Sequence, residues 1–420
     1  MLALAALVCQ LAAQEPASFA LSGDWSLRVS LPGTASGQTL RVTPAALITV
    51  TGETYEDVPV FNPKAGGWIK GAQLKGVRAQ ETTSPKLLVP ESLVIEGLTR
   101  GKDYEADLVW GTFGRLAEDN PKTMTASYRH AQMRLDSVIL TADGRIVLRQ
   151  GEPRAAAPRA PQLAEGERLL GNIYLPGYIP KLTQDNLFPV LEEEFPDLPA
   201  TRYAAIARIV KKIRDTGKLR ILAWGDSVTD GSYLANPGQR WQEQFVSRLR
   251  SQFPAANIEL VTEAWGGRNT SSYLNEPPGS VHNYEEKVLA VKPDVVISEF
   301  VNDAGSKPAV IEERYTKLLK DFQNIGSEWI ILTPHYVRPD WMNLDRERDI
   351  DDDPRPYVTA LRAFAARHKD EVALADASLR YGRLWRQGIP YNTLMLNAIN
   401  HPDARGMQIF ADALMALFEE

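Results

Sequence analysis

From residue 219 to residue 418 the chain alternates short apolar runs with amphipathic stretches, and this alternation constrains its fold more than any other feature. Leu219 to Trp224, Ile258 to Thr262 and Val295 to Val301 are aliphatic runs of the kind a strand shows when both faces of a parallel sheet are covered. Two more strands are expected near 329 and 372. Between them, Trp241, Phe245, Leu249 and Phe253, and then Ile311, Tyr315, Leu318 and Phe322, recur at helical spacing. They predict helices near 239 to 253 and 308 to 324, with a third near 356 to 368. An earlier helix carries Tyr203, Ile206, Ile209, Val210 and Ile213 on one side and stops at Gly217. Five strands alternating with helices predict a flavodoxin-like three-layer α/β/α sandwich with a parallel sheet.

In such a sheet, ligands bind beyond the carboxyl ends of the strands, so the residues there are the first to examine. The first strand runs into Gly225-Asp226-Ser227-Val228-Thr229-Asp230-Gly231, which puts a serine on a strand-to-helix corner. Glycine, aspartate and serine are also ordinary turn residues, so companions must decide. After the second strand comes Trp265-Gly266-Gly267-Arg268-Asn269, where paired glycines let backbone N–H groups approach a bound group. The third strand ends in Asn302-Asp303, a side-chain amide at the same edge. His401-Pro402-Asp403 precedes the amphipathic stretch Ala404 to Phe418, with Asp403 placed to cap that helix.

These four blocks, in this order and at comparable separations, resemble the SGNH, or GDSL-type, hydrolases: a G-D-S nucleophile, a glycine, a G-x-N-D asparagine and a D-x-x-H-P histidine. The resemblance covers roughly Leu219 to Glu420. It implies the SGNH hydrolase fold, Ser227 as nucleophile and His401 as base, with the N–H of Ser227, that of Gly267 and the Asn302 amide as oxyanion hole. The chemistry fits: a serine hydroxyl needs an imidazole to take its proton, and preorganised donors at the developing oxyanion contribute roughly 3–4 kcal/mol each. Two positions depart from the pattern. Phe300 replaces the glycine of the third block, and Ala398 stands where the family has the aspartate that orients the histidine. Asn397, Asn400 or Asp376 are the candidates for that role, Asp376 being also a plausible helix cap. No cofactor and no metal is implied.

The remaining chain is read from composition and pattern. A net charge of −6 over 420 residues offers no basic footprint for nucleic acid. Residues 1–14, an apolar run ending in Ala12-Ala13, read as a signal peptide lacking a charged start and too short to span a membrane. Secretion or periplasmic export is therefore expected, and the only cysteine, Cys9, would leave with that segment. Residues 15–150 show short alternating runs separated by turns, such as Trp25 to Val29, Leu47 to Val50, Leu87 to Ile95 and Glu105 to Trp110, predicting an accessory β-sandwich. The proline-punctuated stretch 151–168 reads as a linker. The hydrolase domain is expected over 169–420.

Other features are assigned by pattern alone. His335 reads as a partly exposed loop histidine, and Asp349 to Asp353 as a solvated acidic run before a helix. Trp341, Tyr336 and Trp265 are either a sugar-stacking wall or ordinary loop packing. The expected activity is removal of short acyl groups, acetyl foremost, from a carbohydrate or polysaccharide. A lipase or aryl esterase of the same mechanism, and an inactive glycan-binding protein, are the alternatives.

Overall fold

A computed structural model describes residues 15–34, 37–196 and 204–418. The expected signal segment 1–14, and Tyr203 of the expected helix, lie outside the described residues.

The C-terminal half holds a five-stranded, wholly parallel sheet. Its strands lie in the order Asn257–Ala264, Lys218–Gly225, Val295–Glu299, Glu328–Leu332, Val372–Ala375. This 2-1-3-4-5 order puts the first strand next to the centre, with the chain reversing direction on either side of it. A crevice opens at that switch point. Successive residues of the central strands serve opposite layers. Ile221 and Ala223 pack with Ile209, Phe245 and Phe410 on one face. Leu222 and Trp224 pack with Ile311, Phe322, Val358 and Phe364 on the other. Helices Ala207–Thr216, Trp241–Gln252 and Ala404–Met415 cover the first face, and Pro308–Asn324 and Pro356–Arg367 the second. Two of these open with proline at their first position, where its missing N–H costs nothing. The first ends at Gly217, whose φ of 61° is the left-handed cap the sequence called for.

The N-terminal half consists of small, mostly antiparallel sheets. Ser18–Gly23, Ser26–Ser30 and Gln38–Arg41 form one, and it shares a core of Leu27, Val29, Val138, Leu170 and Ile173 with a four-stranded partner. Two further three-stranded sheets enclose Tyr55, Phe113, Ala126 and Tyr128. Of the expected strands, Leu87 to Ile95 shrinks to Val94–Ile95, while Thr112–Arg115 and Met124–His130 were not foreseen.

The expected boundaries need correction. The four-stranded partner sheet has the order Ile146–Arg149, Arg134–Leu140, Arg168–Leu175, Leu187–Pro189, so the antiparallel region continues to residue 189 rather than stopping at 150. Arg168–Leu175 is buried along six consecutive residues and therefore shows no alternation by which to recognise a strand. Nor is 151–168 a free linker. Met133 bridges to Arg154, and Glu152 to Arg159, which folds the stretch back on its own sheet. The two halves are joined along a continuous seam: Trp385 from the C-terminal half packs into the Tyr128 and Phe188 core, and Asn172 Nδ2 donates to the Gly388 carbonyl at 2.8 Å.

Candidate functional site

The site is built where three strand ends meet. Lys218–Gly225 passes directly into the one-turn helix Ser227–Asp230. Gly225 makes the corner possible, because a Cβ there would collide with Thr229 Oγ1 and the Glu299 carbonyl. Asp226 caps the turn, its Oδ1 accepting from the Val228 N–H at 3.1 Å. Ser227 is thereby presented at the first helical position, above the sheet edge.

Neighbouring loops converge on it. The glycine loop is tied to the serine's strand by the Trp265 N–H donating to the Gly225 carbonyl at 3.1 Å. A Cβ on Gly266 would stand 3.8 Å from Ser227 Cβ, and Gly267 turns the chain with φ +71°, a conformation that suits glycine. From the third strand, the Asn302 backbone N–H and its Nδ2 both donate to Asp226 Oδ2 at 2.9 Å. The amide is thus held next to the serine corner, with the second Nδ2 proton left over.

Beneath lies a buried pair of carboxyls. Asp226 and Glu299 are fully buried, and Glu299 accepts from Thr229 Oγ1 at 3.4 Å and from the Val301 backbone. Burial pushes Asp226 up to about 7, against the pull of its three N–H donors. Glu299 is driven well above its usual range by burial and by the Asp226 charge.

His401 arrives on the loop before the final helix. Asn397 Oδ1 accepts from the backbone N–H groups of Ile399, Asn400 and His401 at 3.0, 2.9 and 3.0 Å, which winds the loop tightly. Asp403 caps the helix Ala404–Met415. The imidazole reaches Ser227, with Nε2 at 3.3 Å from Oγ. Its ring is stacked on Tyr233 at 4.2 Å with the planes 2° apart. On the far side, Nδ1 stands 2.9 Å from Oε2 of Glu81, within reach of the carboxylate though off the line of a straight N–H···O bond. Burial lowers the histidine below its usual range, opposed by the Glu81 and Asp230 charges, so the ring is neutral at pH 7 and able to accept a proton.

Ser227, Gly267, Asn302 and His401 are thus gathered at one edge, whereas the expected orienting groups are spent elsewhere. Asp376 caps the helix Ala377–Arg383 and pairs with Arg362 at 2.7 Å. Asn397 holds the loop backbone, and Asn400 Oδ1 accepts from Asn397 Nδ2 at 3.2 Å. Ala398 sits with φ +54°. Glu81 was not singled out from the sequence: it lies 320 positions before His401 in a polar turn, and the only signal was the vacancy at Ala398.

The other readings fare differently. His335 is fully buried against Tyr381 and Phe410 rather than partly exposed, and burial holds it well below its usual range. The run Asp349 to Asp353 is solvated as expected at Asp349 and Asp352 and half-exposed at Asp351, and only Asp353 departs by being buried against Arg355; Asp351 and Asp352 pair with Arg386 and Arg362 from the surface. Tyr336 is buried, Trp265 stacks on His282 at 4.5 Å, and half-exposed Trp341 packs near Trp68, so the three do not form one wall. Among the described residues no cluster of His, Cys, Asp and Glu is arranged to hold a metal ion, and no helix is long and apolar enough to cross a membrane.

No curated protein matches the chain. Among solved structures, a two-domain esterase active on acetylated mannans, crystallised with mannopentaose, is 18% identical with a TM-score of 0.40, over 51% of this chain and 54% of that one. This chain therefore spans about half the length of that protein. An acetylxylan esterase from Geobacillus stearothermophilus, crystallised as a catalytic mutant, is 19% identical with a TM-score of 0.37, over 48% of this chain and 94% of that one. The model of the GDSL-like Lipase/Acylhydrolase family matches residues 223–409, which contain the serine corner, the glycine loop, Asn302 and His401. Over residues 223–409 the C-terminal half of this chain is thus similar to the GDSL-like Lipase/Acylhydrolase family.

Proposed function

We propose that the protein is an exported serine esterase that removes short acyl groups, acetyl foremost, from a polysaccharide. The observation that carries this reading is the Ser227 Oγ to His401 Nε2 contact of 3.3 Å, beside a glycine loop and the Asn302 amide. His401 Nε2 takes the hydroxyl proton as Ser227 Oγ attacks the ester carbonyl carbon. The oxyanion is met by the N–H groups of Ser227 and Gly267 and by the Asn302 amide. On collapse, the sugar oxygen leaves with the proton from His401, and acyl-Ser227 remains. Water, deprotonated by the same ring, then releases the acid and restores the serine.

The carbohydrate part rests on what surrounds this pair. Ser227 meets Gly266 and the His401 imidazole, and Tyr233 and Glu81 stand against that imidazole, a mostly polar setting that suits a short acyl on a hydroxylated carrier. The seam between the two halves holds a cavity of about 520 Å³, lined by Lys86, Trp110, Arg338, Glu347, Asn392 and Ala398 among others, within the size range of ligand sites. At its rim the Arg338 guanidinium lies 4.6 Å from the Trp110 ring and 5.5 Å from each of Trp68 and Trp341. The Arg338 backbone N–H donates to the Ile399 carbonyl at 2.8 Å, linking this aromatic platform to the His401 loop. Export rests on the sequence of residues 1–13.

Acetate release from acetyl-xylan, acetylated mannan and acetyl-pectin, beside p-nitrophenyl acetate and octanoate, tests the substrate. We expect acetate from at least one polysaccharide and a p-nitrophenyl acetate kcat/KM at least about tenfold above that for octanoate, a difference worth about 1.4 kcal/mol. Preference for octanoate would favour a lipase, and no turnover of any ester would favour a glycan-binding protein.

A further inference from the structure

We propose that the N-terminal antiparallel region is part of the catalytic machinery: Glu81, at the tip of its Arg78–Thr83 hairpin, is the positioning residue for the His401 imidazole. It takes the place of the aspartate that the resembling family carries at the position of Ala398. The inference rests on the reading of Ser227 and His401 as a catalytic pair, and goes beyond it by making the ester-hydrolysing half incomplete by itself.

The hairpin is built to hold a fixed tip. Arg78 and Thr83 form an antiparallel bridge, and the Ala79 N–H donates to the Thr82 carbonyl at 2.9 Å, closing a tight turn with Gln80 and Glu81 at its apex. Each of the tip's three residues engages the other half. The Gln80 N–H donates to the Leu396 carbonyl at 3.4 Å, and its Nε2 donates to the carbonyl of Tyr233, the residue stacked on His401. Thr82 Oγ1 donates to the Asn397 carbonyl at 2.6 Å, in a fully buried contact. Glu81, between them, places Oε2 at 2.9 Å from His401 Nδ1. The tip thus grips both the loop that carries the histidine and the residue that packs against its ring.

The remaining charges near the imidazole do not fill this role. Asp230 acts on it at longer range, His335 lies behind it with its ring buried, and Asp376 is occupied by Arg362. A carboxylate at Nδ1 fixes the tautomer that leaves Nε2 free to accept the serine proton, and it stabilises the imidazolium that forms without taking its proton. Because the Glu81 side chain is 51% exposed, water screens the pair, and its effect is smaller than that of a buried triad aspartate.

Full-length wild type, Glu81→Gln, Glu81→Asp and Ser227→Ala are compared on p-nitrophenyl acetate from pH 5 to 9. We expect Glu81→Gln to lower kcat by about 10- to 1000-fold, below the ~10⁴ of a buried triad acid, with KM changed less than about threefold, and Glu81→Asp to recover part of the loss. The sign of the pH effect follows from charge. The wild-type acidic limb of kcat/KM lies below about 6.5 because burial depresses His401, and Glu81 opposes that depression. Removing the Glu81 charge therefore moves the limb to lower pH, a displacement that a loss confined to folding does not produce. A Glu81→Gln enzyme within twofold of wild type, or one that loses kcat with the limb unmoved, overturns the inference. Turnover surviving in Ser227→Ala overturns the underlying reading instead, so the two failures are distinguishable.

Discussion

Replacing Ser227 by alanine is expected to lower kcat/KM for p-nitrophenyl acetate by about 10⁴-fold or more, leaving the melting temperature within a few degrees of wild type. The size follows from chemistry. Without Oγ no acyl-enzyme forms, and only the residual effect of binding and oxyanion donors remains, which in serine hydrolases is about 10³–10⁴ over water. The stability follows from structure, because the corner is held by other residues: Asp226 caps the turn, Gly225 gives it room, and the Gly231 N–H donates to the Ser227 backbone carbonyl at 2.9 Å. Steady-state kinetics with a thermal melt on the same preparation checks both parts. A loss below about tenfold would remove Ser227 from the chemistry.

Asn302→Ala is expected to cost about 10²–10³ in kcat, the size seen when one oxyanion donor is removed. Its amide is held in place by Asp226 Oδ2, so the donor is preorganised rather than recruited on substrate binding. The alanine variant keeps the backbone N–H to Asp226 and should fold. Asn302→Asp should be worse in both activity and stability, since it brings a further carboxyl against Asp226, a group already pushed up by burial and by the Asp303 charge. Equal kcat in Asn302→Ala and wild type would show that the amide serves only the Asp226 pocket.

The two halves differ in how far their sequence could be read. In the C-terminal half, strands buried on both faces write unbroken runs such as Leu219 to Trp224, and helices write a period, so the sheet and its layers were legible almost to the residue. The loop positions of Ser227, Gly267, Asn302 and His401 followed, because the ends of such strands converge by topology. In the N-terminal half, strands as short as Val94–Ile95 carry too few residues for a pattern, and Arg168–Leu175, buried along its end, looked irregular beside prolines. His335 was misjudged because a polar residue's exposure depends on partners far away in sequence, here Tyr381 and Phe410. Glu81 is the extreme case. Its proximity to His401 comes from the docking of one half on the other, and no local spacing encodes it.

The central claim is that Ser227 is a nucleophile activated by His401. It is tested most directly by treating the full-length protein with a fluorophosphonate at pH 7 and locating the adduct by intact mass and peptide mapping. The account predicts one phosphonyl group per chain, on Ser227, and none on the Ser227→Ala variant. An unlabelled wild-type protein, or an adduct on another residue, would contradict it.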